Sequence, residues 1–348
     1  MSNGTVLIRP VHENDLKSIV EIAMEVGFGF TSLPNNPDII AKRVLHSVAS
    51  FKQAKNDLDS RVFFFVMEDL DSKEVVGTCA IDVPAGESPP FYNYKLTNLT
   101  QKSDSLHIHK QHKILELVND YQNTTEFGTF FIKKSFRGRG KGSLLSRSRC
   151  LFIAEFPDFF TERVIAEMRG FLDDKGNSPF WEAIGRHFFE MDFAKADYLR
   201  TVQGEQFITD LMPKYPIYVD LLSKAAQEVI GKTHLEALSA LHLLEKEGFK
   251  HRGYVDIFQG GPLIEAEKSE LKTVQTSQKA KVHQINKFNN VKKDRNKDNL
   301  WMISNTRLDF KVTSGYLEVI EKDKINLNEE TAKILNVSIG DDVRYCIL

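Results

Sequence analysis

The chain has 348 residues, of which 41% are hydrophobic and 27% charged, so it is long enough to form two or three structural units of ordinary globular composition. A formal net charge of −2 provides no overall attraction to nucleic acid or to an anionic membrane surface. No stretch approaches the ~18 apolar residues that a membrane span needs, and the three cysteines are too far apart to indicate a disulfide framework or a metal site. We therefore expect a cytoplasmic protein whose partners are small molecules, with no nucleic acid, membrane or metal among them.

The first third of the chain combines helix and strand patterns. Residues 5–10 predict a short strand, residues 13–26 a capped amphipathic helix, and residues 39–51 a second helix. The aromatic and β-branched runs at 61–68 and 75–83, separated by a turn, predict a hairpin. The following stretch, up to residue 123, mixes proline, glycine, serine, histidine and charge, and it supports no assignment.

The most informative segment lies between a strand predicted at residues 126–132 and a long helix predicted after residue 142. It consists of Arg137, Gly138, Arg139, Gly140, Lys141 and Gly142. Glycines let backbone N–H groups converge on an anion, and the N-terminus of the following helix adds partial positive charge. The segment lacks the Lys-Ser/Thr ending of a P-loop and the glycine spacing of the dinucleotide fingerprint. The pattern R-x-x-G-x-G resembles instead the pyrophosphate cradle of the GNAT acyltransferase superfamily, with a basic surface turn as the alternative.

This resemblance implies an α+β fold of the GNAT acyl-CoA N-acyltransferase type, with acyl-CoA as co-substrate. In that superfamily the strand before the loop separates from its neighbour, here the strand predicted at residues 163–169, and acyl-CoA lies in the opening. The implied CoA contacts are the loop residues together with Phe130, Phe131 and Ile132. A backbone N–H of the first strand would stabilise the oxyanion that develops on the thioester carbonyl.

Two later segments resemble each other, which bears on the domain organisation. Residues 178–193 and 237–258 each read as an amphipathic helix with an aromatic exit into a strand. We expect a GNAT-like region at 1–270, with a partial internal duplication whose second half spans about 178–270, in preference to one core with an inserted segment. Residues 271–300 are polar and basic and predict a loop or linker. Residues 301–348 then predict a small β-rich C-terminal unit.

Beyond the loop, the sequence resembles the arginine N-succinyltransferase family over nearly its whole length. The matching runs include VIAEMRG at 164–170, SPFWEAIGRHFFEMDFAKADYL at 178–199, LMPKYPIY at 211–218 and LLEKEGFKHRGYVDIFQGGP at 243–262. The resemblance implies an enzyme that moves the succinyl group of succinyl-CoA to the α-amine of L-arginine in arginine catabolism. We further expect it to assemble with copies of itself or with a related subunit.

The family's assigned residues can be placed on this sequence. Its proton donor falls on His234, which without the resemblance is an ordinary surface or capping histidine, and its succinyl-CoA contact falls on Phe130. Glu126, at the start of the strand beside the thioester, is the competing general base. A guanidinium fork for the succinyl carboxylate would come from Arg169 or Arg186. Carboxylates for the substrate guanidinium would come from the set Glu167, Glu182 and Asp192.

Two other functions remain open on the sequence. The first is an N-acyltransferase that acts on ornithine or another amine. The second is a non-catalytic CoA-binding subunit, against which the intact loop and His234 argue.

Overall fold

A computed structural model describes residues 4–26, 32–52, 60–85, 90–203, 206–287 and 300–348. The strands within these ranges are β1 (Val6–Pro10), β2 (Arg61–Asp69), β3 (Val75–Ala85), β4 (Asn93–Ser103), β5 (Ile108–Val118), β6 (Thr124–Ile132), β7 (Arg163–Glu167), β8 (Ile217–Tyr218), β9 (Lys250–Asp256), β10 (Pro262–Glu267), β11 (Gln278–Asn286), β12 (Trp301–Asn305), β13 (Val312–Gly315), β14 (Leu317–Glu321), β15 (Lys324–Asn328) and β16 (Asp342–Ile347). The helices are α1 (Leu16–Val26), α2 (Pro37–Lys52), α3 (Lys141–Glu155), α4 (Pro179–Ala183), α5 (Gly185–Phe189), α6 (Phe193–Gln203), α7 (Gln206–Leu211), α8 (Lys224–Val229), α9 (Leu238–Glu247), α10 (Lys272–Thr276) and α11 (Glu329–Leu335). None of the helices in these ranges has an apolar run long enough to cross a membrane.

The described strands form one mixed sheet in the order β14-β15-β11-β16-β12-β13-β1-β2-β3-β6-β7-β10-β9-β4-β5-β8. Its centre is buried on both faces, because β2 is apolar at consecutive positions. Phe63 and Phe65 pack in the cluster that contains the buried side of α3, whereas Phe64 packs in the cluster of α1 and α2. Helices therefore pack on both faces of the sheet, and the predicted α+β class is confirmed.

The functional region depends on the pairing of β6 with β7. These two strands run parallel and pair only through Thr125 with Val164 and Glu126 with Ile165. Each strand continues beyond these pairs, β6 as far as Ile132 and β7 as far as Glu167, without further pairing between them. The strands thus separate toward their C-terminal ends, which is the GNAT arrangement that the loop motif predicts.

Two insertions enlarge this core. The first is the long hairpin of β4 and β5, which occupies part of the stretch for which the sequence supports no assignment; its outer half is polar and exposed on both faces, so it lacks the alternation that marks a half-buried strand. The second is the helical segment between β7 and α9. Its core is centred on Trp181, which stacks against Phe189 and Phe258 with ring centroids 5.3 and 5.4 Å apart.

The expected internal duplication is wrong in its structural premise. Residues 178–193 form α4, α5 and the first residue of α6 and do not lead into a strand, whereas residues 237–258 do place α9 before β9. The first segment is thus two short helices, whereas the second is one continuous helix followed by a strand. One acyltransferase core with an inserted segment, the alternative weighed above, stays a proposal, and the helical segment between β7 and α9 is called the inserted segment below.

The C-terminal unit extends the main sheet. Strand β13 pairs with β1 at Ile8 and Val312, and the Thr313 hydroxyl donates to the Val6 carbonyl at 2.8 Å. A separate apolar cluster of β11, β12, β15, β16 and α11 lies behind it. The β-rich character expected for residues 301–348 is present, and their division from residues 1–270 as an independent domain remains a proposal.

The expectation that residues 271–300 form a loop is wrong for its first half. Residues 272–276 form α10 and residues 278–286 form β11, while residues 288–299 lie outside the described part of the chain. In β11, Ala280 and Val282 are buried and alternate with Lys279, Lys281 and His283, which are exposed. Only Ala280 and Val282 form the buried face of this strand, and the surrounding residues are polar and mostly basic. The alternation of apolar and polar residues that marks a strand is therefore hard to detect in the sequence.

This alternation predicts a position-specific stability effect in β11. Val282→Asp places an unpaired carboxylate at a site that is 1% exposed and should lower the free energy of unfolding by about 3–5 kcal/mol. His283→Asp, at the exposed neighbouring position, is the matched control and should change it by less than about 0.5 kcal/mol. Urea denaturation followed by circular dichroism measures both. Equal effects of the two substitutions would show that β11 does not bury this face.

Candidate functional site

A cavity of about 660 Å³ occupies the opening between β6 and β7. Residues 127–132 line one side and residues 166–169 the other, and side chains of α3, α6 and α9 complete the wall. Most of the residues predicted to contact CoA are therefore brought together: Phe130, Phe131, Ile132, Arg137, Gly138, Gly140 and Gly142. Arg139 and Lys141 are not among the lining residues.

A β-bulge interrupts β6 beside this cavity. Phe131 pairs with Thr78 and Gly128 with Ala80, so that Thr129 and Phe130 together oppose the single residue Cys79. Thr129 has a φ of 56°, unusual for a β-branched residue. A bulge of this kind leaves a residue outside the hydrogen-bond ladder and redirects the local backbone.

Side chains from two other segments hold the bulge in place. The Thr129 N–H donates to the Ser32 hydroxyl at 3.0 Å, and the Thr129 hydroxyl donates to the Ser32 carbonyl at 3.3 Å. The Thr78 hydroxyl donates to the Thr129 carbonyl at 2.8 Å. The cost of the strained residue is thus offset by three hydrogen bonds that fix the backbone before a ligand arrives.

The glycine-rich loop has the backbone expected of an anion site. Gly138, Arg139 and Gly140 all have positive φ, at 100°, 51° and 76°, and Gly140 precedes α3 without a side-chain hydrogen bond capping that helix. The N–H groups in the first turn of a helix have no intrahelical acceptor. Those of Gly142 and Ser143, in the first turn of α3, therefore require an acceptor from outside the helix. Both residues line the cavity. A helix N-terminus of this kind suits a phosphate group.

Helix α3 contributes a polar row to the cavity wall that sequence reasoning missed. Ser143, Ser146 and Arg149 are spaced three apart and all line the cavity, opposite Leu243 and Leu244 of α9. Three polar residues at helical spacing in an otherwise buried helix are a signal that the sequence does carry. Without the fold, however, that row could equally face solvent.

The far end of the cavity carries charges of both signs. Glu126 and Glu167 lie there on neighbouring strands, and Asp197 and Arg200 come from α6 in the inserted segment. The buried Asn93 side chain donates to Glu167 at 3.0 Å. Sequence reasoning named the two glutamates but missed the two α6 residues, because nothing local indicates that this helix packs over the opening.

The turn between β9 and β10 fixes this end of the cavity to β7. Asp256 accepts hydrogen bonds from the N–H groups of Phe258, Gln259 and Gly261, and the Gln259 side chain accepts one from the Gly170 N–H at 2.6 Å. Burial raises the pKa of Asp256 even though these three N–H groups lower it. A Cβ on Gly261 would lie 2.2 Å from the Met168 carbonyl oxygen, so only glycine permits the approach.

His234 lies next to the cavity but not among the residues that line it. Its backbone N–H donates to the Arg169 carbonyl at 2.8 Å, and its Nδ1 accepts from the Glu236 N–H at 3.2 Å, so it caps the short turn at 235–237. Burial, and then the Arg169 charge, lower the pKa of His234, whereas Glu236 raises it. Both Arg169 and Glu236 line the cavity. His234 therefore has the capping role considered from the sequence, and its ring still lies beside two residues of the cavity wall.

Three of the predicted substrate contacts lie elsewhere. Glu182 and Arg186 pair with each other at 3.2 Å on the exposed side of the inserted segment, and Asp192 accepts from the Lys195 N–H at 2.8 Å at the start of α6. None of the three lines the cavity. The structure therefore places these three predicted contacts apart from the cavity, where an i,i+4 ion pair and a helix cap satisfy the side chains locally. Glu167 and Arg169 remain at the site.

Comparison with known proteins agrees with this geometry. The family model for the arginine N-succinyltransferase beta subunit matches residues 6–273, and the model for the C-terminal domain of that subunit matches residues 278–346. The arginine N-succinyltransferase of Yersinia pestis is 39% identical over 349 residues, covering 98% of this chain and 97% of its own. The enzyme of the same name from Escherichia coli is 39% identical over 277 residues, covering 80% of each chain.

A solved structure supports the same relationship in three dimensions. Subunit AI of the arginine/ornithine succinyltransferase of Pseudomonas aeruginosa superposes with a TM-score of 0.88 at 31% identity, covering 99% of both chains. The likeness thus includes the inserted helical segment and the C-terminal unit as well as the core. The chain belongs to the arginine N-succinyltransferase family and is an acyl-CoA-dependent N-acyltransferase.

Proposed function

We propose that the protein transfers the succinyl group of succinyl-CoA to the α-amino group of L-arginine. The observation that carries this proposal is that one cavity joins a helix N-terminus suited to an anion at one end to a set of carboxylates and guanidinium groups at the other. Arginine presents a cation and a carboxylate on one molecule, and succinyl-CoA presents phosphates and a carboxylate. Relatives named for this reaction support the same conclusion.

The donor would lie along α3. The pyrophosphate binds the backbone N–H groups at Gly142 and Ser143, and the pantetheine arm passes between α3 and α9 toward the bulge. The thioester carbonyl accepts the N–H of Phe130, in the bulged part of β6. Phe130 thus acts through its backbone, and its ring packs against the core.

The acceptor would enter at the charged end. Glu167 and Asp197 provide carboxylates for the guanidinium group. Arg169 provides a fork for a substrate carboxylate: its Nε is buried with no hydrogen-bond partner among the described residues, and its ion pair with Glu236 is loose at 3.7 Å.

The reaction requires two proton transfers. Glu126 takes one proton from the arginine α-ammonium, the free amine attacks the thioester carbon, and the C–N bond forms as the Phe130 N–H stabilises the oxyanion. The second amine proton passes to His234 as the C–S bond breaks, and His234 returns it to the CoA thiolate. A lowered pKa keeps His234 neutral in the free enzyme, ready to receive that proton. Protonation at Nδ1 requires the ring to give up its hydrogen bond from the Glu236 N–H.

Two alternatives come from the comparisons and the sequence. The Pseudomonas relative is named for both arginine and ornithine, and ornithine also presents a cation to Glu167 and Asp197. A non-catalytic subunit would bind CoA without turnover. The matching family model is described as a beta subunit, which supports assembly with copies of this chain or with a related subunit.

The loop assignment predicts the effect of Gly140→Val. Valine is disfavoured at a φ of 76°, so the loop must change shape and its N–H groups no longer converge. We expect the Kd for CoA to rise at least about tenfold, measured by isothermal titration calorimetry. Gly176→Val is the matched control, because Gly176 has a φ of 80° in an open turn that does not line the cavity. Unchanged CoA affinity in a folded Gly140→Val protein would refute the assignment.

The acceptor assignment predicts strong discrimination among amines. With succinyl-CoA as donor, kcat/KM for arginine should exceed that for leucine by more than about 100-fold, because leucine offers no cation to the carboxylates that would bind the guanidinium. Thiol release measured across a panel of arginine, ornithine, lysine and leucine tests this. Ornithine turnover equal to that of arginine would favour the ornithine alternative, and release with no amine preference would reject the acceptor site.

The proton-transfer role of His234 can be separated from its capping role. His234→Asn keeps a side-chain acceptor for the Glu236 N–H but cannot transfer a proton, so both His234→Ala and His234→Asn should lower kcat at least about 100-fold with little change in CoA affinity. Recovery of activity in His234→Asn alone would show that the residue only caps the turn.

The pH dependence has a definite sign. Because the pKa of His234 is lowered from its usual 6.5, kcat/KM should be high above that pH and fall as the pH drops through a value below it. Measuring kcat/KM of the wild-type protein between pH 5 and 8 gives this acid limb of the pH profile. The limb should be missing from the pH profile of the residual activity of His234→Asn. A limb that persists in the variant points to Glu126.

A further inference from the structure

Arg149 lies in the cavity wall, and the part of the chain that the structure describes provides no counter-ion for it. It lies in the middle of α3 as the last member of the row that begins with Ser143 and Ser146, and it lines the cavity although its residue surface is only 1% exposed. A charged side chain is rarely found at such burial unless it is paired.

The contacts of Arg149 fix its position without neutralising it. Its Nε donates to the Ser146 carbonyl at 3.2 Å and its Nη2 to the Ser146 hydroxyl at 3.1 Å. The guanidinium carbon lies 4.3 Å from the ring centroid of Phe127 and 5.5 Å from that of Phe130. Among the described residues, no carboxylate lies within ion-pair distance of it.

The acidic residue near Arg149, Glu247, already has other partners. Glu247 is 3% exposed; its Oε1 binds Arg147 at 3.0 Å and the Thr273 hydroxyl at 2.8 Å, and its Oε2 accepts the Thr273 N–H at 2.9 Å. Helix α3 thus holds two arginines of opposite character. Arg147 has a full set of partners, whereas Arg149 is oriented by a serine and two rings toward an open cavity.

The position of Arg149 relates it to the acyl group. Phe130, whose ring it faces, belongs to the bulge where the proposed function places the thioester. The carboxylate of a succinyl group lies only a few bonds beyond that thioester. The other three guanidinium groups of the cavity are placed differently. Arg137 donates to the Ile132 carbonyl beside the phosphate loop, Arg169 contacts Glu236 at the acceptor end, and Arg200 of α6 lies over the Phe258 ring, 4.9 Å from its centroid.

We propose that Arg149 binds the distal carboxylate of the acyl donor and thereby selects dicarboxylic acyl-CoA esters over monocarboxylic esters of the same length. The ligand supplies the missing counter-ion, so the pair forms only in the complex. This inference rests on the proposed function, since it assigns the donor end of that site.

Donor binding without any acceptor tests the proposal. Succinyl-CoA and butyryl-CoA have the same chain length and differ in the terminal carboxylate, so we compare their Kd values on wild-type protein and on Arg149→Met. Wild type should bind succinyl-CoA more tightly, and Arg149→Met should weaken succinyl-CoA binding on the order of 100-fold while leaving free CoA and butyryl-CoA within a few-fold. The preference should carry over to kcat/KM with arginine.

Two further variants keep the test decisive. Arg149→Gln retains polar contact with Ser146 without the charge and should behave like Arg149→Met, which also covers the case in which the methionine variant fails to fold. Arg169→Met removes a second guanidinium of the cavity and should leave the succinyl to butyryl ratio of donor affinities unchanged. Melting curves establish that each variant is folded.

The outcomes separate this inference from the function on which it rests. If wild type shows no preference for succinyl-CoA, both the donor assignment and the role of Arg149 fail. If wild type prefers succinyl-CoA and the Arg149 variants keep that preference, the inference alone is overturned. An equal loss for succinyl-CoA, butyryl-CoA and free CoA also overturns it, because Arg149 would then only support the bulge.

Discussion

The separation of β6 from β7 after two residue pairs is the constraint on which the site depends. A parallel pair that stayed closed would satisfy its own backbone groups and leave no opening. Here Glu126 and Ile165 end the pairing, and the bulge at Thr129 turns the backbone of β6 toward the gap. Because Ser32 and Thr78 hold the bulge, the opening is built into the fold and does not wait for a ligand to form it.

Those parts of the site that are continuous in sequence could be predicted. The strand, glycine loop and helix at 126–155 follow one another, and each local signal agrees with the next. Asp197 and Arg149 could not be placed, since one needs the inserted segment to pack over the opening and the other needs the buried side of α3 to be known. In contrast, the i,i+4 spacing of Glu182 and Arg186 already indicates an ion pair on one helical face, and the structure shows that pair.

The inserted segment and the core are joined at the acceptor end of the cavity. The turn of Asp256 and Gln259 binds the end of β7, and the Gly231 N–H donates to the Gly260 carbonyl at 2.7 Å, so the loop that carries His234 is tied to the same turn. Phe258 of this turn stacks on Trp181, the centre of the inserted core. The proposed acceptor wall and the proposed proton carrier therefore share one support.

The pairing of β1 with β13 has a consequence for how the chain reaches its fold. The Thr313 hydroxyl and the Val6 carbonyl that it binds are 307 residues apart, so β1 is synthesised well before the strand that pairs with its second edge. Val6 and Ile8 of β1 are almost inaccessible to solvent in the folded protein. Until β13 pairs with it, β1 presents an unpaired apolar edge. Contacts of such long range slow folding and lengthen exposure to aggregation. The closure of the sheet between β1 and β13 is therefore expected to be a late step in folding.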